Sequence, residues 1–347
     1  MVFAIVLLVL LALSVLWNVG SFFAHSLTPG KIRSSRAVGP RLEEVVTEDN
    51  DSANKIAVVE IGGIISSSAI ETGGYDMVDV IKAQLKRAQE DERVRAVILK
   101  VNSPGGEVLA SDEINHLIGT FQTNSKKPVI ASMGNLAASG GYYVSAPCRW
   151  IVANELTITG SIGVILHSWN YRGLMNKVGL QPQVYKSGKH KDMLSGERNP
   201  EEVPEEERTM LQGLIDETYT KFKKVVEDGR KRANDKNKNS KDKGKTLDEH
   251  WTDYADGRVL TGTKAFELGF VDELGNFDKA IERATTIAGI GKANLIEYQP
   301  RHDLSDLLRL FGQSNQAEGR VLKVDLGVDV PKLQAGQLYF LSPTFAH

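Results

Sequence analysis

The groups in this chain with the types and spacing for acyl-transfer chemistry are one serine, a basic residue further along, and paired glycines. Ser139 stands at the centre of Pro128 to Ala146, PVIASMGNLAASGGYYVSA. The stretch opens as a short apolar run, passes through Gly134 and Asn135 into small residues, and continues after Gly140 and Gly141 into an apolar, aromatic segment able to start a helix. Strand, tight turn, serine and helix together expose a hydroxyl where backbone N–H groups and the positive end of a helix dipole converge. The same residue types also describe an ordinary helix N-cap. A serine hydroxyl becomes a nucleophile only when something takes its proton. Histidine, a neutral lysine or a carboxylate can each do so, and His190 and Lys191 are adjacent candidates. On an extended segment neighbouring side chains point to opposite faces, so one of the two at most reaches a given serine. Lysine acts as a base where burial and the lack of a carboxylate partner lower its pKa; otherwise it is a solvated surface residue. Gly105 and Gly106, between a strand and a helix, can offer N–H donors to a developing oxyanion or form a plain turn. Ser161, in the turn TGSIGV, can hold a base by a hydrogen bond.

The elements around these residues alternate. Ile56 to Ile65 is β-rich and interrupted by Gly62 and Gly63, and Tyr75 to Ala88 places Met77, Val78, Ile81, Leu85 and Ala88 on one helical face. Val94 to Val101 is a continuous apolar strand of the kind buried on both faces. A helix bearing Val108, Leu109, Ile114, Leu117 and Ile118 follows NSPGG, then the strand from Pro128, the helix after Ser139, and a strand at Trp150 to Ala153. This order predicts an α/β domain with a largely parallel sheet. Further on, Asn170 to Val178 reads as a short helix, Gln183 to Lys186 as a strand leading into SGKHKD, and Glu205 to Arg230 as the longest helix. That helix carries Met210, Leu211, Leu214, Ile215, Tyr219, Phe222, Val225 and Val226 on its apolar side. Arg230 to Lys245 holds eight basic residues against Asp235 and Asp242 and reads as a solvated loop or basic insert. Leu304 to Phe311 reads as an amphipathic helix and Gln337 to Leu341 as a terminal strand.

Composition narrows the function. Lys and Arg number 42 against 44 Asp and Glu, so net charge implies no nucleic-acid partner. The single cysteine, Cys148, excludes an internal disulfide framework, and the seven histidines lack a recognisable metal-ligand spacing. Metal catalysis is therefore unsupported and no cofactor is implied. Met1 to Ala24 carries no charged side chain and is long enough for a membrane-spanning helix, with a cleaved signal peptide as the rival reading. Residues 25–54 read as a linker. Lys31, Arg33, Arg36 and Arg41 follow the apolar segment, and counted literally they place the bulk of the chain in the cytoplasm.

Five ordered motifs carry a family resemblance: VNSPGG (Val101 to Gly106), MGNLAASGGYYVSAP (Met133 to Pro147), TGSIGV (Thr159 to Val164), SGKHKD (Ser187 to Asp192) and DGRVLTG…ELGFVDELG (Asp256 to Gly275). Over roughly Lys55 to Ala288 the chain resembles bacterial signal peptide peptidases of the SppA type in their short, single-repeat form. The resemblance implies a ClpP/crotonase-like fold of repeated ββα units and a serine–lysine mechanism. It puts the nucleophile at Ser139, the general base at Lys191, the base-orienting hydroxyl at Ser161, and oxyanion donors at Gly106 and Gly140. It also implies a homo-oligomer whose active sites draw serine and lysine from adjacent subunits, acting on signal-peptide remnants and unfolded peptides. The implied location is the cytoplasmic membrane, single-pass, with the catalytic domain outside, against the literal charge count. The organisation expected is an anchor at 1–24, the linker at 25–54, a peptidase domain at 55–297 and a C-terminal extension at 298–347. A crotonase-like acyl-CoA enzyme and a catalytically silent membrane scaffold are the competing readings. The first would bind coenzyme A; the second would resist serine-directed acylating probes.

Overall fold

The computed structural model describes residues 39–68, 75–238, 240, 243–301 and 338–341. The apolar segment Met1 to Ala24 and the amphipathic stretch Leu304 to Phe311 lie outside the described residues. No helix among those described is long and apolar enough to cross a membrane.

The chain alternates as the apolar patterning demands. Strands β1 (Leu42–Glu48) and β2 (Lys55–Gly62) lead into helix α1 (Met77–Glu90), whose Asp76 cap accepts from the Asp79 N–H at 2.9 Å. Its buried residues, Val78, Ile81, Leu85 and Ala88, recur at helical spacing on one face. Then come β3 (Val94–Ser103), the short β4 (Gly105–Glu107) and α2 (Val108–Ser125). Strand β5 (Val129–Ala138) runs straight into Ser139 and α3 (Gly140–Ser145). Strands β6 (Trp150–Ala153), β7 (Ile158–Gly160) and β8 (Ile165–Leu166) follow, then α4 (Arg172–Lys177) and the long α5 (Glu205–Asn237). The remaining elements are β9 (Val259–Thr261), α6 (Gly262–Glu267), β10 (Glu273–Leu274), α7 (Phe277–Ala288), β11 (Asn294–Pro300) and β12 (Leu338–Leu341).

Nine of these strands form one sheet in the order β1-β11-β2-β3-β5-β6-β10, with β7 continuing the C-terminal half of β5 and β9 beside it. Every pairing is parallel except β1 with β11 and β7 with β9. The parallel centre explains the unbroken apolar runs: in β3, Val97, Leu99 and Val101 face one core, Ala96 and Ile98 the other. The larger core lies under α1, α2 and α3, the smaller against Ala280 and Ala284 of α7. The small second sheet has the order β4-β12-β8, so a segment from near the C-terminus lies between two strands that flank the Ser139 turn in sequence.

Four sequence expectations change. Part of the 25–54 linker is β1, which pairs antiparallel with β11 from Leu42↔Pro300 onward, so the sheet extends beyond 55–297 at both ends. Its Glu-rich sequence masks a strand with one buried residue, Leu42, at the sheet edge. Gln183 to Lys186 forms no strand: no described strand pairs with it, and Tyr185 is 91% exposed. The basic stretch from Arg230 is helical to Asn237, because Gly229, Arg230, Ala233 and Asn237 prolong the buried face begun by Phe222 and Val226. Charge counting sees eight cations there and misses that periodicity. Finally, the apolar side of α5 is covered only in its second half; Met210 is 40% and Leu214 49% exposed.

Candidate active site

Ser139 occupies the junction of β5 and α3 with φ 54° and ψ −116°, outside the regions an L-residue prefers. Such a backbone costs about 1–3 kcal/mol and persists only where surrounding contacts hold it. Here the Ser139 N–H donates to the Gly160 carbonyl at 2.8 Å, and the Ser139 carbonyl accepts from the Tyr143 N–H at 2.8 Å. The hydroxyl does not cap the helix. Its Oγ is buried and has no hydrogen-bond partner among the described residues. A buried hydroxyl left unpaired costs stability, and such groups gather where chemistry needs them free. The N-cap reading of the sequence is thereby set aside.

Three strand ends converge around this turn. β3 pairs with β5 through Ser103↔Ala137, and β7 pairs with β5 through Ala138↔Gly160. Gly105 and Gly106 leave β3, Ser139 leaves β5 and Ser161 leaves β7, all at carboxyl ends of parallel strands, where open α/β sheets bind ligands. Ser161 is buried, has φ 50°, and is fixed by its N–H donating to the Arg258 carbonyl at 2.8 Å.

The glycines are required by close approach. A Cβ on Gly140 would stand 2.8 Å from the Ser111 Oγ, 3.0 Å from the Gly105 Cα and 3.1 Å from the Gly106 nitrogen. The start of α3 and the Gly105–Gly106 backbone therefore touch directly. Gly105 accepts from the Ile65 N–H at 2.9 Å, and Glu107 donates to the Ile65 carbonyl at 2.8 Å. Backbone groups alternate sides along a strand, so those of Gly106 face away from Ile65, toward its register partner Phe340 in β12. A Cβ on Gly105 would meet the Phe340 carbonyl oxygen at 1.9 Å and the Gly140 nitrogen at 2.7 Å, so those two atoms share one small space.

Phe340 has no exposed surface. Its ring stacks on Tyr143 with centroids 4.8 Å apart and packs against Phe222 at 4.6 Å. Tyr143 is held by its hydroxyl donating to Asp112 Oδ1 at 2.5 Å, and burial together with that carboxylate pushes its pKa up. The Cys148 thiol is likewise pushed up by burial and is unreactive there. The sequence offered Phe340 as part of a terminal strand, but the pocket joining it to Tyr143 and Phe222 spans far too much chain for any local pattern to show.

Lys191 sits elsewhere, exposed, in a turn of the segment joining α4 to α5. Its neighbours are all tied down. Lys186 bonds Asp192 at 2.6 Å and holds that carboxyl below its usual range. Lys189 pairs with Glu206, and the His190 ring turns to Glu207 at 3.4 Å and Glu206 at 3.6 Å. Arg198 bridges Glu207 at 2.7 Å and Asp192 at 3.5 Å. The Lys191 side chain has no ion pair or hydrogen bond with any described residue. Within the single chain, then, Ser139, Ser161, Gly106 and Gly140 come together and Lys191 does not join Ser139 Oγ.

Residues 122–291 match the family described as Peptidase family S49. A Synechocystis sp. protein with a provisional protease name is 38% identical over 265 residues, spanning 76% of this chain and 85% of that one. An Enterococcus faecium protein provisionally named signal peptide peptidase SppA is 35% identical over 263 residues, spanning 74% of this chain and 71% of that one. Protease 4 of Salmonella typhi is 33% identical over 74% of this chain and 38% of its own length. A solved membrane-bound stomatin-specific protease aligns over 72% of this chain and 99% of its own at 15% identity, with a TM-score of 0.39. The close sequence relatives and the matched family leave one assignment: the chain belongs to peptidase family S49 and is a serine peptidase of the SppA type.

Proposed function

We propose that the chain is a membrane-anchored endopeptidase with a ClpP/crotonase-like fold that degrades signal-peptide remnants and other unfolded peptides through a Ser139–Lys191 dyad. The observation carrying this reading is the Ser139 hydroxyl itself: buried, unpartnered, on a strained strand-to-helix turn, with the Gly106 and Gly140 backbones alongside. Ser139 Oγ attacks the peptide carbonyl as neutral Lys191 Nζ takes its proton. The N–H groups of Gly106 and Gly140 receive the developing oxyanion. Lys191 passes the proton to the leaving amine, and water, deprotonated by the same amine, releases the acyl group from Ser139. Ser161 orients the amine by a hydrogen bond. Because Lys191 must be neutral, the rate rises with pH.

Lys191 reaches Ser139 from an adjacent subunit of a homo-oligomer. Two features support this: the Lys191 side chain, without a partner among the described residues, on a turn whose neighbouring charges are paired, and the uncovered apolar side chains of the segment that leads into it. Trp169 is 77% exposed, and Leu174, Val178 and Tyr185 are also open to solvent. Uncovered apolar side chains of this kind are what a subunit contact would bury.

The experiment is subunit mixing. Ser139→Ala and Lys191→Ala each abolish hydrolysis of an unfolded reporter peptide. Mixed and reassembled, they regain activity in roughly a quarter of the sites if serine and lysine come from different subunits. Full activity in either variant alone removes the dyad; silence of the mixture removes the shared site.

A further inference from the structure

Four cations distant in sequence meet at the end of the sheet away from Ser139. Lys126 follows α2, Arg149 precedes β6, and Arg232 and Lys236 lie one turn apart on α5. They gather at the amino-terminal ends of β5 and β6, where the Arg149 N–H donates to the Val129 carbonyl at 2.8 Å. A small cavity of about 40 Å³ opens there between Gln122, Thr123, Pro147, Arg149, Arg232 and Lys236. None of the four cations forms an ion pair with a described carboxylate. Asp228 is taken by Lys224 at 3.2 Å, and Glu227 and Asp235 line a different cavity beside Asp248 and Glu249. Burial, and then Arg149, Arg232 and Lys126, pull the Lys236 pKa down, and burial does the same to Arg149. The helix ends account for only part of this charge. Arg149 caps α5, its Nη2 donating to the Lys236 carbonyl at 2.7 Å and its Nε to Asn237 Oδ1 at 2.5 Å, while its Nη1 has no hydrogen bond among the described residues. A helix carboxyl end carries roughly half a negative charge, so the ends of α2 and α5 offset about one of the four positive charges. The rest stand side by side and partly out of water, a cost that a bound anion removes.

We propose that Lys126, Arg149, Arg232 and Lys236 form a docking site for an anionic phospholipid surface, with one headgroup phosphate held at Arg149 beside the cavity. Lys126, Arg232 and Lys236 are exposed and Arg149 is half-buried, so the patch is open rather than enclosing. An open site gives a single dissolved phosphate little to set against water. A bilayer offers many phosphates at once, and each Lys or Arg brought to an anionic one is worth about fivefold in partitioning. The guanidinium fork matches the geometry of a phosphate. The apolar stretch Met1 to Ala24, read from the sequence as long enough to span a membrane, would keep a bilayer within reach. Contact at this end leaves the Ser139 turn, at the other end of β5, uncovered. The proposal is independent of the chemistry at Ser139.

The test uses the full chain, reconstituted in nanodiscs of phosphatidylcholine alone or mixed with phosphatidylglycerol. Acetylation of each lysine by an amine-reactive reagent is followed by mass spectrometry. With phosphatidylglycerol present at low salt, labelling of Lys126 and Lys236 slows by at least about fivefold, while that of the exposed Lys86 on α1 is unchanged. Added salt removes the protection by screening the exposed charges. Arg232→Glu, a change of two charges at an exposed position, labels alike in the two kinds of disc, and Arg149→Gln does the same. Labelling is read without hydrolysis, so the result stands whether or not the peptidase reading does. Equal slowing of Lys86 and the patch lysines, or protection that Arg232→Glu leaves intact, overturns the proposal. Equal protection in phosphatidylcholine discs by inorganic phosphate or by an oligonucleotide makes the patch a general anion site and overturns the lipid assignment.

Discussion

Replacing Asp272 with alanine should cost far more than its one visible ion pair suggests. Asp272 and Arg230 pair with both side chains fully out of solvent. Asp272 Oδ2 also accepts from the Ile151 N–H at 2.8 Å and Oδ1 from the Lys245 N–H at 3.1 Å. Among the described residues Arg230 makes one further hydrogen bond, Nη1 to the Cys148 carbonyl at 3.3 Å, and its Nε has no partner. Asp272→Ala therefore leaves a buried guanidinium uncompensated and two amides short of an acceptor. Breaking a buried pair from one side costs about 3–5 kcal/mol. At roughly 2–4 °C per kcal/mol for a domain of this size, the melting temperature falls by about 6–20 °C. The pair itself is worth less than that, since its desolvation offsets its attraction. Arg230→Met combined with Asp272→Asn removes the charge while keeping one acceptor, and should recover at least about half of the loss. Calorimetry and denaturant titration of the parent, single and double variants measure this. A single variant within about 1 kcal/mol of the parent, or a double variant no better than the single, would refute the burial argument. The outcome matters to the site because Arg230 and Phe222 share α5, and Gly229 of the same helix lies against the Ala146 carbonyl at the end of α3.

Two further expectations follow from the same geometry. Gly140→Ala forces its new methyl group against the Ser111 Oγ and the Gly105–Gly106 backbone, displacing the proposed oxyanion donors. Its kcat should fall by about 10²–10³-fold with KM little changed, and an unaltered kcat would remove Gly140 from the oxyanion hole. Burial pushes the Tyr298 hydroxyl from 10.0 up to about 12, and moves Tyr142 and Tyr143 in the same direction. A raised folded-state pKa gives stability that is complete below the unfolded value and is lost as pH climbs through the folded one. The melting temperature should therefore drop between pH 10 and 12, less so in Tyr298→Phe, while activity climbs with pH until that loss sets in. A variant that drops as steeply as the parent would exclude Tyr298 as a source.

The parallel core was readable because its pattern is local. Val94 to Val101 is apolar without interruption, and only a strand covered on both faces needs that. The Ser139 turn was readable for the same reason, since small residues and paired glycines sit within a few positions of it. What stayed hidden depends on contacts distant in sequence. Leu42–Glu48 looks like linker because four of its seven residues are Glu or Thr, and only β11 makes it a strand. Arg230 reads as one cation among many until Asp272 is brought to it. Phe340 is a lone aromatic in the C-terminal extension until Tyr143 and Phe222 close around it. The motif at Lys191 is legible, but its partners within the chain are not: the turn is held by Glu206 and Glu207 at the start of α5, and its amine is left free.

The measurement that bears most directly on the central claim is covalent labelling of the assembled protein with a serine-directed acylating probe, with the modified residue located by mass spectrometry. An activated hydroxyl at the end of β5 predicts one acyl adduct, on Ser139, formed faster as pH rises and lost in Lys191→Ala. An unlabelled Ser139, or labelling that Lys191→Ala leaves unchanged, would contradict it.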